Sequence, residues 1–245
     1  MSEARQRKWS WPGHHRTAKV WWILLALLVI VVLYPVTFRF LRVFTVAAGA
    51  MLWLGAADLV WPRRPGVAAA ILLAGVLGAV WVCLPGRSPA VDPLREAYRN
   101  ALLRYDGTRY LWGGENRLGI DCSGLVRKAM IAASVRTSLQ TANPRLLRTA
   151  FDIWWHDCSA KALRDEYRGF TVRRFQAGSI NAIAEGTLTP GDLDDVHVLA
   201  YLGDHTWIEA DPGINRVVQV QTPADNPWFA VPVQIIRWRE LDPFP

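Results

Sequence analysis

The sequence predicts an α+β domain placed behind a membrane-spanning helical region, and three observations point to it. Residues 20–85 hold three apolar runs, "VWWILLALLVIVVLYPV", "FTVAAGAMLWLGAADLVW" and "GVAAAILLAGVLGAVWVCLP", each with roughly the 17–25 residues that cross a bilayer. From Pro93 the chain carries amphipathic helical stretches. After Pro190 it changes to short alternating runs, the texture of a small antiparallel sheet.

The membrane region accounts for the charge. The net charge is +7, yet 9 basic and 2 acidic residues precede Pro85 while 19 of each follow it. A neutral C-terminal region lacks the electrostatic footprint of a nucleic-acid binder. Arg5, Arg7, Lys8, Arg16 and Lys19 crowd the N-terminal tail, and Arg63 and Arg64 the second connection. Arg39, Arg42 and Arg87 flank the other side. The positive-inside rule then expects a basic cytoplasmic tail over 1–19, three transmembrane helices over 20–85, and the C-terminal domain outside the cytoplasm. Asp58 is costly in lipid and is expected to face a neighbouring helix. The "AGA" at 48–50 offers a signal-peptide cleavage site, but two further apolar runs make an integral anchor the more economical reading.

Residues 86–92, within "LPGRSPAVDP", read as a linker, and 93–245 as the folded domain. "PLREAYRNALLRY" reads as an amphipathic helix, and "SGLVRKAMIAASV" as another that begins at Ser123 with Leu125, Val126 and Met130 in its apolar stripe. "NPRLLRTAFDIWWHDCSAKALRDEY" reads as a helix capped by Asn143 with Pro144 at its first position. "VHVLAYLG", "TWIEA", "RVVQVQ" and "VQIIRW" read as strands.

Three cysteines, Cys83, Cys122 and Cys158, form no paired spacing that suggests a disulfide framework or a metal site, and no cofactor is implied. Cys122 stands at a helix start, where backbone N–H groups are expected to favour its thiolate. The glycines at 113, 114 and 119 let backbone pass close to it. The plain alternative is a buried structural thiol. His197 shares a strand face with Leu199 and Tyr201. A turn at Gly203-Asp204-His205 would pair Leu202 with Thr206, which sets His197 opposite Asp211 and diagonal to Glu209. An acid beside an imidazole fixes its tautomer and steadies the imidazolium once a thiol has given up its proton.

The ordered blocks "YLWGGENRLGIDCSGLV", "PGDL" and "HVLAYLGDHTWIEA" resemble those of the NlpC family of cell-wall cysteine peptidases, over roughly residues 93–245. The resemblance implies a papain-like fold, in which a helix-borne cysteine packs on a small antiparallel sheet. It also implies a membrane-anchored hydrolase of amide bonds in peptidoglycan stem peptides. Cys122 becomes the nucleophile, His197 the base, and Glu209 the third polar residue at a position where the family usually has another histidine. Asp211 is the alternative third residue. Tyr110 lies beside the nucleophile, Asp121 is the acid that can meet a substrate amine, and Ser123 and Trp112 complete the substrate-facing set. The expected location is a bacterial cytoplasmic (inner) membrane, with the catalytic domain on its periplasmic, extracytoplasmic side. The partners are then the peptide substrate and the bilayer.

The pattern departs from the family's in two places. Only Asp194, Asp195 and Val196 separate Leu193 from His197, where a strand and loop are usual. A long insert at about 132–186 replaces a shorter segment; its Trp154-Trp155 pair could meet a protein partner, though core packing is the plainer expectation. His156 and Cys158, two apart on a helix, would not face each other, and His205 is expected in a solvated turn. Two other functions share these residues: a thiol acyltransferase acting on lipid, and a catalytically degenerate domain that binds cell wall.

Overall fold

The computed structural model describes residues 13–173, 187–190, 197–221 and 235–242. The chain divides into two compact units, Met1–Val32 with Phe40–Val80, and Leu33–Arg39 with Trp81–Pro245.

Three helices, α1 (Gly13–Leu33), α2 (Arg39–Val60) and α3 (Pro65–Cys83), supply the first unit, and each is long and apolar enough to cross a membrane. They could anchor the protein there. Small side chains let them approach one another: Ala48 and Ala68 are fully buried, and the Trp21 indole donates to the Leu52 carbonyl (2.9 Å). Asp58 does not turn inward as expected. It is exposed two residues from the end of α2, where a carboxylate can reach the polar edge of a bilayer.

The second unit opens with α4 (Val91–Leu103), which buries Leu94, Ala97, Tyr98, Ala101 and Leu102, the stripe of a helix packed on one face. A tiny hairpin follows, β1 (Glu115–Asn116) with β2 (Gly119–Ile120). Next is α5 (Cys122–Thr141), a turn and a half longer than its apolar run suggests, closed by Ala142 in the left-handed region (φ 48°).

The long helix expected from Asn143 onward is broken. Asn143 does cap α6 (Pro144–Trp155), accepting from the Arg145 N–H at 3.2 Å, but His156 is extended and the chain restarts at α7 (Ala160–Arg164), capped by Ser159. A buried side chain compensates the break. Arg127 of α5, 1% exposed, donates to the carbonyls of Ile153 (3.1 and 2.9 Å), Trp154 (2.8 Å) and His156 (2.7 Å), which α6 leaves without helical partners. Its remaining nitrogen pairs with Glu115. Replacing Arg127 with methionine is therefore expected to cost on the order of 3–5 kcal/mol, because the buried Glu115 carboxylate loses its ion-pair partner and the Trp154 carbonyl its donor, while Ile153 and His156 keep the Tyr167 hydroxyl (3.0 and 2.9 Å). Urea unfolding of the full chain measures this.

Trp154 and Trp155 do not enter the core. They are half-buried and lie against exposed Phe151, Trp155 stacking on it at 5.7 Å, while Ile153, just before them, takes the buried position. His156 and Cys158 stand on the extended break rather than on a helix.

The strands are β3 (Thr171–Arg173), β4 (Thr187–Pro190), β5 (Val198–Gly203), β6 (Thr206–Asp211), β7 (Arg216–Gln221) and β8 (Ile236–Trp238). Among the described residues they form one antiparallel sheet in the order β3-β8-β4-β5-β6-β7. Leu125, Val126, Ala129, Met130 and Ala133 of α5 are buried in one core with Val198, Ala200, Leu202, Ile208, Ala210 and Val217 of the sheet. Leu199 and Trp207 bury the opposite face. The β5–β6 turn is tighter than expected: Gly203, not Leu202, pairs with Thr206, across Asp204 and His205, both at positive φ (49° and 61°). A bulge then absorbs Leu202, so Leu199 faces Glu209, in the register the longer turn would have given. His205 is exposed in that turn. Residues 191–196, from the Pro-Gly-Asp-Leu block to the residue before His197, lie outside the described residues, as does 174–186 of the insert.

Candidate active site

The site begins with a helix cap. Asp121 is extended (φ −101°, ψ 178°), and its Oδ1 accepts from the Gly124 N–H (2.5 Å) and the Ser123 hydroxyl (3.0 Å). Its Oδ2 accepts from the Gly113 N–H (2.8 Å). Burial raises its pKa above the ordinary carboxylate value, against the lowering effect of these three donors. Asp121 therefore ties the Gly-Gly loop to the helix start, and Ser123, buried beneath it, serves the same cap; its hydroxyl also lies 3.5 Å from the Cys158 carbonyl. Gly113 needs its left-handed φ of 71°, and a Cβ on Gly114 would stand 2.5 Å from the Gly119 carbonyl oxygen.

This cap delivers Cys122 as the first residue of α5, 9% exposed. Backbone N–H groups of Val198, Ser123 and Cys122 itself act to lower the thiol's pKa, as the helix start leads one to expect, but they are outweighed. Burial first, then the charge of Asp121, push the thiol up to about 12. Only the thiolate reacts with an alkylating agent, so carboxamidomethylation of Cys122 by iodoacetamide is expected to be slow at neutral pH. It should quicken about tenfold per pH unit from pH 7 to 10. Peptide-resolved mass spectrometry separates it from Cys83 and Cys158, and a rate that levels off near pH 8 would contradict the assignment.

His197 immediately precedes β5 and is 3% exposed. Its Nε2 lies 2.6 Å from Oε2 of Glu209, itself fully buried on β6. With Nε2–H given to the carboxylate, Nδ1 is the ring's accepting nitrogen. Cys122 shares a core with Val198, the residue after His197, while Glu209 pairs in register with Leu199 on the other face of the sheet. Asp211 does not join the His197–Glu209 pair. Its Oδ1 accepts from the N–H groups of Gly213 (2.6 Å) and Ile214 (3.3 Å) and shapes the β6–β7 turn.

Tyr110 is half-buried, and its phenol is pushed up to about 12 by burial and then by the charges of Cys122 and Asp121, which it adjoins. Trp112 is 83% exposed, a bare indole beside the Gly-Gly loop. The Glu115–Arg127 pair behind that loop escapes sequence reading; the one hint is a charge inside the apolar stripe of "LVRKAM". Among the described residues, no cluster of three or more His, Cys, Asp and Glu side chains could hold a metal.

A cysteine at the start of a helix, packed on an antiparallel sheet that carries a histidine and its acid, is the layout of a papain-like domain. The family can be stated too. The chain belongs to the NlpC/P60 family, whose profile matches residues 107–237, more than half of its length. Among solved structures it is similar to the NlpC/p60 domain of the peptidoglycan hydrolase SagA, at 23% identity and a TM-score of 0.35, covering 58% of this chain and 97% of that one. It is similar to NlpC2 from Trichomonas vaginalis (20% identity, TM-score 0.41, 64% and 50% covered). An NlpC/P60 family protein from Bacillus cereus is also similar (20%, 0.39, 64% and 42%). The chain spans half or less of the last two. No curated protein matches it.

Proposed function

We propose that this chain is a membrane-anchored cysteine hydrolase that cleaves amide bonds in peptidoglycan stem peptides. The observation that carries the reading is the buried His197–Glu209 pair, 2.6 Å apart, with His197 next in sequence to Val198, which shares a core with Cys122. A thiol served by a base that an acid orients is the arrangement acyl transfer needs.

The steps follow from that arrangement. As Sγ of Cys122 bonds to the amide carbonyl carbon, its proton passes to Nδ1 of His197 and the carbonyl electron pair moves to oxygen. The Cys122 backbone N–H helps hold that negative charge. The Glu209 carboxylate steadies the imidazolium. His197 then protonates the amide nitrogen, the C–N bond breaks, and a free amine leaves a thioester behind. Water gives a proton to His197 and its oxygen to the thioester carbon, which releases the carboxylic acid and restores the thiol. Tyr110 and Trp112 face the substrate, the indole as an apolar platform; Asp121 and Ser123 act through the cap.

The topology has support of its own. Leu33–Arg39 belongs to the same unit as the domain after α3, which supports a topology in which segment and domain share one side. On that topology α2 and α3 both span or neither does. With both spanning, the basic tail and Arg63–Arg64 fall on the cytoplasmic side and the catalytic unit outside.

The test places the full chain in nanodiscs with a defined stem tetrapeptide and a phospholipid, and reads the products by mass spectrometry. A new amine and a new carboxylic acid from the peptide are expected. Acyl exchange on the lipid without a new acid would replace hydrolysis by acyl transfer; intact peptide and lipid would leave a binding domain.

A further inference from the structure

The connection between the first two apolar helices is five residues long, 34–38, and it does not hang free. The Glu115 N–H donates to the Pro35 carbonyl (2.8 Å), and Val36 forms an antiparallel bridge with Gly114. The Thr37 hydroxyl donates to Oε2 of Glu115 (2.5 Å). The Asn116 amide donates to the carbonyls of Leu33 (3.1 Å) and Tyr34 (3.2 Å). Leu33–Arg39 thus adds a short extended strip beside the hairpin that carries the Gly-Gly loop.

That loop is one residue from the machinery on either path. Gly113 donates to the Asp121 carboxylate, and the Gly114 carbonyl accepts from the Asp121 N–H (3.2 Å), directly before Cys122. Glu115, held by Thr37 on one oxygen, holds Arg127 with the other, five residues along α5 from the nucleophile. A helix cap alone fixes the start of α5. It also holds Gly113 and Gly114 from one side, and the bonds from Leu33–Arg39 hold Gly114, Glu115 and Asn116 from the other.

We propose that Leu33–Arg39 is a positioning element of the active site: through Gly114, Glu115 and Asn116 it holds the wall that covers Cys122, so the anchor builds the site as well as tethering it. The segment touches no substrate and acts only through the wall. The proposal rests on the hydrolase reading for its consequence in catalysis, and on geometry alone for its consequence at the thiol.

The experiment therefore reads both, on the full chain in nanodiscs. Three variants are compared with wild type: Thr37→Val, Thr37→Ser, and residues 35–37 replaced by Gly-Ser-Gly. The primary readout is the alkylation rate of Cys122 at pH 8, resolved from Cys83 and Cys158. It should rise about tenfold in the tripeptide replacement and about fivefold in Thr37→Val, since one hydrogen bond is worth about 1 kcal/mol. Thr37→Ser, which keeps the hydroxyl, should match wild type. The rate of stem-peptide cleavage should fall by the same factors, mainly as a rise in KM. Equal alkylation rates in wild type and both disruptive variants would overturn the proposal. If wild type cleaves nothing, the hydrolase reading fails while the alkylation series still decides this one. Should the tripeptide replacement unfold, Thr37→Val against Thr37→Ser carries the comparison.

Discussion

Cys122→Ala is expected to abolish cleavage of stem peptides by the full chain, a loss of about four orders of magnitude or more, because no other group can form the thioester. The fold should survive. The change removes one sulfur from a site beside the surface, 9% exposed, where the cavity cost of so small a truncation is about 1 kcal/mol. Thermal unfolding within a few degrees of wild type, together with undetectable product, is the expected pair of results. Residual cleavage above a hundredth of the wild-type rate would remove Cys122 from the nucleophile's role. Cys158 could not easily replace it: burial raises that thiol's pKa as well.

The second large effect is expected at Glu209. Glutamine there keeps volume and one acceptor but removes the charge, and its amide can present N–H to the imidazole and favour the wrong tautomer. A fall in kcat of about 10²–10⁴ follows, by the measure of other acid-oriented histidines. Histidine at 209 should recover most of that loss, since an imidazole nitrogen can again accept from Nε2–H of His197, and the resembling family usually carries histidine here. Steady-state kinetics of wild type, Glu209→Gln and Glu209→His check this. If glutamine matches wild type, the 2.6 Å contact serves folding and not turnover.

The parts of this site that sequence made legible are local ones. Asp121 before an apolar helical run reads as a cap, and the structure has it there. His197 and Glu209 were placeable because a hairpin's alternation is local, and the bulge at Leu202 kept their register although the turn differed. Neither Asp204 nor His205 is the glycine that positive φ usually signals, which hid the two-residue turn. The break after Trp155 carries no proline or glycine, and its stabiliser, Arg127, lies 26 to 29 residues away. β3 spans only three residues, too short for any period to show. The bond from Thr37 to Glu115 crosses 78 residues and two apolar helices, and no pattern in either stretch announces it. At Cys122 the helix-start donors that lower the thiol's pKa are visible in sequence, and the burial that raises it is not.

The strip formed by Leu33–Arg39 also imposes an order on biogenesis. Thr37 leaves the ribosome well before Glu115, with α2 and α3 between them. On the topology proposed above, the strip waits unmatched until both later helices have inserted and the rest of its unit has followed them. On that topology a chain in which α3 failed to cross would leave strip and domain on opposite faces of the bilayer, and its hairpin without that support. Docking of the strip would then proofread the topology of the anchor.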